Sequence, residues 1–334
     1  MTTLTETIVR GLAAGDTSSS MNADFHIYSL PPKRVNRMRI LNKLADDTRT
    51  TNVTRPFAHA NPPALLHPAP SEALEWFTFS LRQQQNALDY EGRLAAWLEL
   101  ADVEPPIRTR IGTRNALLNL KKGLTPAQAG NDNPHYFDDL AMVRVLAAVV
   151  TFPQDPQAAL DAATADAEFT TASDGLWCAQ ATARLFSRLA EGDSPRDAVL
   201  SAIELLPEET WSRRISESSL KVAEGCSGPI ERARRLSIDI GDWIYSYPIA
   251  APETLGFLLA HVASAQNAND LMLGALSQPR NGAVLPALAG AAAAVIFGTD
   301  WIPADLTLET IKLKGIAIPQ YRGQNVTNGV TVSA

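Results

Sequence analysis

Two cysteines in 334 residues, Cys178 and Cys226, are too few for a disulfide scaffold, and neither lies in a CxxC pair or a Cys/His cluster. A reduced, cytoplasmic protein is the expectation. Long apolar runs are missing as well. The most apolar stretch, 284–297, contains Pro286 and Gly290 and is too short to span a bilayer. The opening MTTLTETIVRGLAAGD has no basic segment ahead of an apolar one, so no signal peptide and no membrane are expected. Positive charge is in deficit: Lys+Arg 29 against Asp+Glu 36 gives a net charge of -7, which repels phosphate backbones and argues against a nucleic-acid partner. No GxGxxG precedes a helix, and GxxxxGK, HExxH and GxSxG do not occur.

What is present is helical period. Leu4, Ile8, Val9 and Leu12 form an apolar stripe that the spacing ends at Gly15-Asp16, followed by irregular chain to about Pro32. Residues 34–44 run from basic to apolar, and 52–70 read as a long Pro-, Asn- and His-rich loop. Helices are expected over 71–85, to Leu100, and over 107–120, the last closed by Lys121, Lys122 and Gly123. Further helices fall at 140–151, 156–168, 175–190 and 198–206, the last opened by a Ser194 cap and Pro195. The pattern continues through 209–224, 229–243, 252–266, 267–275 and 284–297. The expectation is an all-α chain, one compact multi-helix domain over 1–314, with a tail at 315–334 that is extended or partly disordered.

Acid at turns is the chemical signal. Asp16 ends the first stripe, Asp46-Asp47-Thr48 sits in a short polar turn, and Asp138-Asp139 opens an apolar helix. Adjacent carboxylates bind a hard cation, or polarise a water or a sugar hydroxyl. They also cap helices, because aspartate satisfies free N–H groups at an N-terminus. His26, His59, His67 and His135 are scattered, and His261 falls inside an apolar helix as a core histidine.

The order of these pieces is specific. IVRGLAAGD (8–16), ADDT (45–48), the segment from NPHYFDDLAMVRV to TTASDG (133–175), ETLGFLLAHV (253–262) and NGAVLPALAGAAAAVIFGTDWIP (281–303) together resemble the ADP-ribosylglycohydrolase family. That all-α family includes dinitrogenase reductase-activating glycohydrolase and the crystallin J1 proteins. The resemblance implies cleavage of an N- or O-glycosidic bond to ADP-ribose. It also implies two Mg²⁺ or Mn²⁺ ions gripping ribose hydroxyls and a water. Their ligands come from a glutamate after the first GD, a Ser/Thr-Asp-Asp-Thr motif, and an Asp-x-Asp-Ser/Thr motif before the NGA helix. Carried over, Asp46, Asp47 and Thr48 match, and Ala45 replaces the hydroxyl residue. The glutamate falls near Ala23, with Asp24 beside it as a substitute, and the last motif falls on Ser277-Gln278-Pro279-Arg280.

A dinuclear metal site is therefore not expected, and at most one weakly bound Mg²⁺. Arg280 puts a fixed cation where the family holds a metal ligand, so it is expected to pair with Asp46 or Asp47 or to bind an anionic ligand group, unless it points to solvent. Asp46, Asp47 and Asp16 are the candidate catalytic carboxylates. Thr48, Asp138, Asp139, Arg280, Asn281 and Gly282 are the candidate substrate contacts, expected around one cleft. The substrate class is a nucleotide- or ribose-containing small molecule. The alternative is an inactive family member retained as a ligand-binding or regulatory protein. Oligomeric state is not legible.

Overall fold

The computed structural model describes residues 3–28, 72–86, 89–241, 244–245, 248–278 and 280–327, with backbone alone for 19–28. Among these the chain is almost wholly helical. In order the helices are α1 (Leu4–Tyr28), α2 (Glu72–Gln85), α3 (Tyr90–Leu100), α4 (Ile111–Lys121), α5 (Pro126–Asn131), α6 (Leu140–Arg144), α7 (Leu146–Thr151) and α8 (Pro156–Ala167). They continue with α9 (Ser173–Ala190), α10 (Pro195–Glu204), α11 (Trp211–Glu224), α12 (Pro229–Asp239), α13 (Ala251–Ser264), α14 (Ala268–Ser277) and α15 (Leu285–Phe297). The fold class is all-α, as the periodicity implies.

The innermost helix is α15. Every residue from Leu285 to Ala294 is buried, most of them alanine. Small side chains let neighbours approach closely, and α1, α9, α13 and α14 all pack on it. The α1 contact is tightest. A Cβ built on Gly15 would lie 2.0 Å from the Pro286 carbonyl oxygen, and one on Gly290 would lie 2.2 Å from that of Gly11. Glycine is therefore the residue that fits where the two backbones meet.

That contact corrects the reading of α1. The helix runs through Gly15-Asp16 to Tyr28 rather than stopping there. Gly15 serves an interhelical contact, not a helix stop. Other boundaries shift by a few residues: α4 opens at Ile111 rather than 107, and α12 closes at Asp239 rather than 243. The 140–151 helix divides at Val145 into α6 and α7. Ser194 caps α10 as expected, accepting from the Asp197 N–H at 3.1 Å. Gly123 closes α4 with φ +87°. The expected segments at 34–44 and 52–70 lie outside the described residues.

Two features place the site. The loop before α6 pairs with the chain entering α13: Asp139 N–H donates to Ile249 O at 2.9 Å and Ala251 N–H to Phe137 O at 2.8 Å. This fixes Asp138 and Asp139 against the N-terminus of α13. The C-terminal segment, meanwhile, lies on α2. Buried Glu75 accepts the N–H groups of Ile316, Ala317 and Ile318, each at 2.8 Å. Ile311, Leu313, Ala317, Ile318 and Val326 are buried in the same core as the helices.

Candidate functional site

One cation organises the carboxylates. Arg110, just ahead of α4, donates from Nε to Glu72 at 2.7 Å. Its Nη1 is shared between Asp138 Oδ1 at 2.9 Å and Asp139 Oδ1 at 2.5 Å. Asp138 Oδ1 also accepts the Leu140 N–H at 2.9 Å, so the helix-capping reading holds for this residue alongside its ion pair. Asp139 makes no cap bond. Instead its Oδ2 accepts from Thr254 Oγ1 at 2.6 Å, and Thr254 Oγ1 accepts from Asn281 Nδ2 at 2.6 Å. Asn281 Nδ2 also reaches Ala250 O at 3.2 Å. Asn281 holds a left-handed backbone at φ +59°, a conformation asparagine tolerates better than most residues. Its carbonyl accepts the Leu285 N–H at 3.0 Å, and buried Gly282 follows it in the turn that opens α15.

The cluster holds three carboxylates against one guanidinium, an excess of negative charge. Burial pushes Asp139 up to about 7, with Arg110 pulling down and Asp138 pushing up. Burial opposes the charge on Arg110, yet Asp138, Glu72 and Asp139 together raise its pKa well above the usual value. Among the described residues, two buried acceptors in this network have no partner: Asp138 Oδ2 and Asn281 Oδ1. An unpaired buried acceptor is costly, and a ligand donor relieves it. Beside them His135 is half-buried, its Nε2 3.1 Å from the Tyr245 hydroxyl and its Nδ1 without a partner. Burial lowers its pKa.

Arg280 lies 2% exposed, so it does not point into solvent. Its Nε donates to Glu253 at 2.6 Å, and its Nη2 donates to Tyr245 O at 2.7 Å. Asp46, Asp47 and Thr48 lie outside the described residues, and so does the expected pairing of Arg280 with them. Asp16 is wholly buried and in mid-helix rather than at a helix end. It accepts the Leu74 N–H at 3.2 Å and so caps α2 from α1. Burial raises its pKa well above the usual carboxylate range, Leu74 opposes that, and Glu72 and Glu75 add to it. Ala23 and Asp24 fall on the last turns of α1.

Residues 277–280, onto which the last motif of the implied metal site falls, carry other contacts. Gln278 sits 3.3 Å from His261 Nε2, and Arg280 occupies the neighbouring carboxylate, Glu253. Among the described residues no three His, Cys, Asp or Glu side chains are grouped to hold a metal ion. His261 is a core histidine, as expected: fully buried, it accepts from Arg232 Nε at 3.0 Å. That bond places the imidazole proton on Nε2, so the Gln278 carbonyl, otherwise unpartnered, is the group that belongs opposite it.

Arg110, Glu72, Glu253 and Thr254 were not singled out from sequence. Glu253 and Thr254 lie inside the ETLGFLLAHV segment, but nothing in its period distinguishes them. Arg110 is one of many arginines, and only the fold brings it to Asp138.

The helical body and the Asn281–Gly282 turn before a buried alanine helix define the class. Residues 11–323 match the ADP-ribosylglycohydrolase family, and the chain belongs to it. Among solved structures, the fold is similar to an ADP-ribosylglycohydrolase-related protein complex. That likeness has a TM-score of 0.51 and 18% identity, and it covers 95% of this chain and 98% of the other. At that identity it speaks for the fold alone. No curated protein matches the chain. No described helix is long and apolar enough to cross a membrane.

Proposed function

We propose that the protein is an ADP-ribosylglycohydrolase-like enzyme that cleaves the N-glycosidic bond of an ADP-ribosyl, nucleotide or ribosylated small molecule without a dinuclear metal centre. One observation carries this reading. Asp138 Oδ2 and Asn281 Oδ1 are buried acceptors without donors, joined through Arg110, Asp139 and Thr254 in one network. Sugar hydroxyls are donors of the kind such oxygens need.

In the proposed reaction the C1′–N bond breaks through an oxocarbenium-like state, and a water oxygen bonds C1′. The water proton goes to a carboxylate, and the leaving nitrogen takes a proton. Asp46 and Asp47 hold ribose hydroxyls and steer the water, with Thr48 behind them. Arg110 holds Asp138 and Asp139 side by side through its Nη1, Gly282 follows Asn281 in the α15 turn, and Asp139 sets the protonation of the cluster near neutral pH. Arg280, neutralised in part by Glu253, provides fixed positive charge where the family places metal.

The test is incubation with NAD, ADP-ribose, ADP-ribosyl-arginine and nucleosides, with EDTA or with Mg²⁺, followed by mass spectrometry. Cleavage that is equal in EDTA and Mg²⁺ supports the proposal. Cleavage that requires Mg²⁺ refutes the metal-free part. Binding without cleavage of any compound favours the inactive, ligand-binding alternative.

A further inference from the structure

Arg110 is tied to α2 by its side chain and to the C-terminal segment by its backbone. Its Nε donates to Glu72, in the first turn of α2, at 2.7 Å. Three residues on, and so on the same face of α2, Glu75 is 1% exposed and accepts the N–H groups of Ile316, Ala317 and Ile318. The same segment bonds the chain that leads to Arg110. Ala317 O accepts the Arg108 N–H at 2.8 Å, and Gln320 Nε2 donates to Pro105 O at 2.9 Å. These contacts close a ring from Arg110 through Glu72, Glu75, Ala317 and Arg108 back to Arg110. We propose that Glu75 is a positioning residue of the candidate site: it holds the C-terminal segment, and the segment fixes the Arg110 guanidinium between Glu72 and the Asp138–Asp139 pair.

Residues 103–109 are neither helix nor strand, so no ladder of their own sets their path. Bonds to the C-terminal segment do that instead. The Arg110 contacts to Asp138 and Asp139, at 2.9 and 2.5 Å, would be lost on a backbone shift of about 1 Å. A long arginine side chain also loses rotamer freedom when ordered, and a fixed backbone two residues earlier narrows what must be ordered. Glu75 is suited to the task, because hydrogen bonds to a carboxylate are stronger than neutral ones. The proposal deepens the glycosidase reading by naming what places its cation. Its readouts are on Arg110 and Asp139 themselves, so absence of turnover would sink that reading and leave this one standing.

The experiment compares Glu75→Gln with the parent by NMR on the full chain. The Arg110 Nε–H signal, assigned by its loss in Arg110→Lys, reports the bond to Glu72 through its exchange with water. The Asp139 carboxyl ¹³C signal reports the pull of Arg110. Glu75→Gln is expected to speed Arg110 Nε–H exchange about tenfold, the effect of weakening one hydrogen bond. The Asp139 titration should move upward, since Arg110 is what pulls it down. Ser194→Ala, which removes the α10 cap and touches neither segment, should leave both signals as in the parent. Arg110 and Asp139 signals unchanged in Glu75→Gln overturn the proposal, and so does an equal change in Ser194→Ala, which would mark general destabilisation. If Glu75→Gln does not fold, Gln320→Ala removes only the bond to Pro105. Faster Arg110 exchange in that variant supports the proposal, and unchanged exchange overturns it.

Discussion

Asp139→Asn isolates the proton that burial holds on Asp139 in the Arg110 cluster. The parent carboxyl is pushed from 3.8 up to about 7 by burial. Because the folded value lies above the unfolded one, the native state holds an extra proton between them. Stability from this group is complete below the unfolded value and is lost as pH rises through about 7. A shift of this size corresponds to on the order of 4 kcal/mol at about 1.4 kcal/mol per unit. Asp139 is 1% exposed, so solvent screening does not reduce it much. Asparagine mimics the protonated carboxyl: Oδ1 accepts from Arg110, and Nδ2 donates to Thr254 Oγ1. The variant should therefore match the parent in urea denaturation near pH 3 and exceed it by several kcal/mol near pH 9. A pH limb of kcat/KM near neutrality, present in the parent, should disappear. A variant less stable than the parent at pH 9 would show that the fold favours the ionised carboxylate of Asp139 and does not raise its pKa.

Three other outcomes follow from single contacts. Gly15→Ala drives a Cβ into the Pro286 carbonyl and should cost about 1–3 kcal/mol or more, read as a fall in Tm; an unchanged Tm would contradict the α1–α15 packing. Arg280→Ala leaves Glu253 buried without this cation and should destabilise by about 3–5 kcal/mol while lowering ligand affinity, with no rescue by Mg²⁺; recovery in Mg²⁺ would overturn its role as a fixed cation. Glu75→Gln replaces an acceptor of three N–H groups by an amide that supplies one oxygen. It should cost about 1–3 kcal/mol and speed proteolysis after residue 310; unchanged proteolysis would refute the docking of 316–318 on α2.

Helix positions were legible because apolar residues recur at helical spacing and because Ser194 and Gly123 punctuate the chain by well-understood chemistry. Gly15 misled, since a glycine that admits a neighbouring backbone has the same letter as one that ends a helix. Asp138-Asp139 was legible as a pair. Its controlling cation was not, because Arg110, Glu72 and Thr254 come from segments that only the tertiary fold joins. Asp16 reads as a helix end and is a cap on a different helix, a relation that no local pattern encodes. Asn281-Gly282 was found through the motif it opens, while its strained backbone and its bond to Thr254 required coordinates.

Metal-free hydrolysis of an N-riboside is the step that sets the proposed reaction apart. Incubating the protein with ADP-ribosyl-arginine in ¹⁸O-water and EDTA, then weighing the released ADP-ribose, tests it most directly. Release is expected at the same rate as in Mg²⁺, with one ¹⁸O placed at C1′ by the act of cleavage and distinguished from later exchange by its time course. Release that appears only when Mg²⁺ or Mn²⁺ is added back would contradict it.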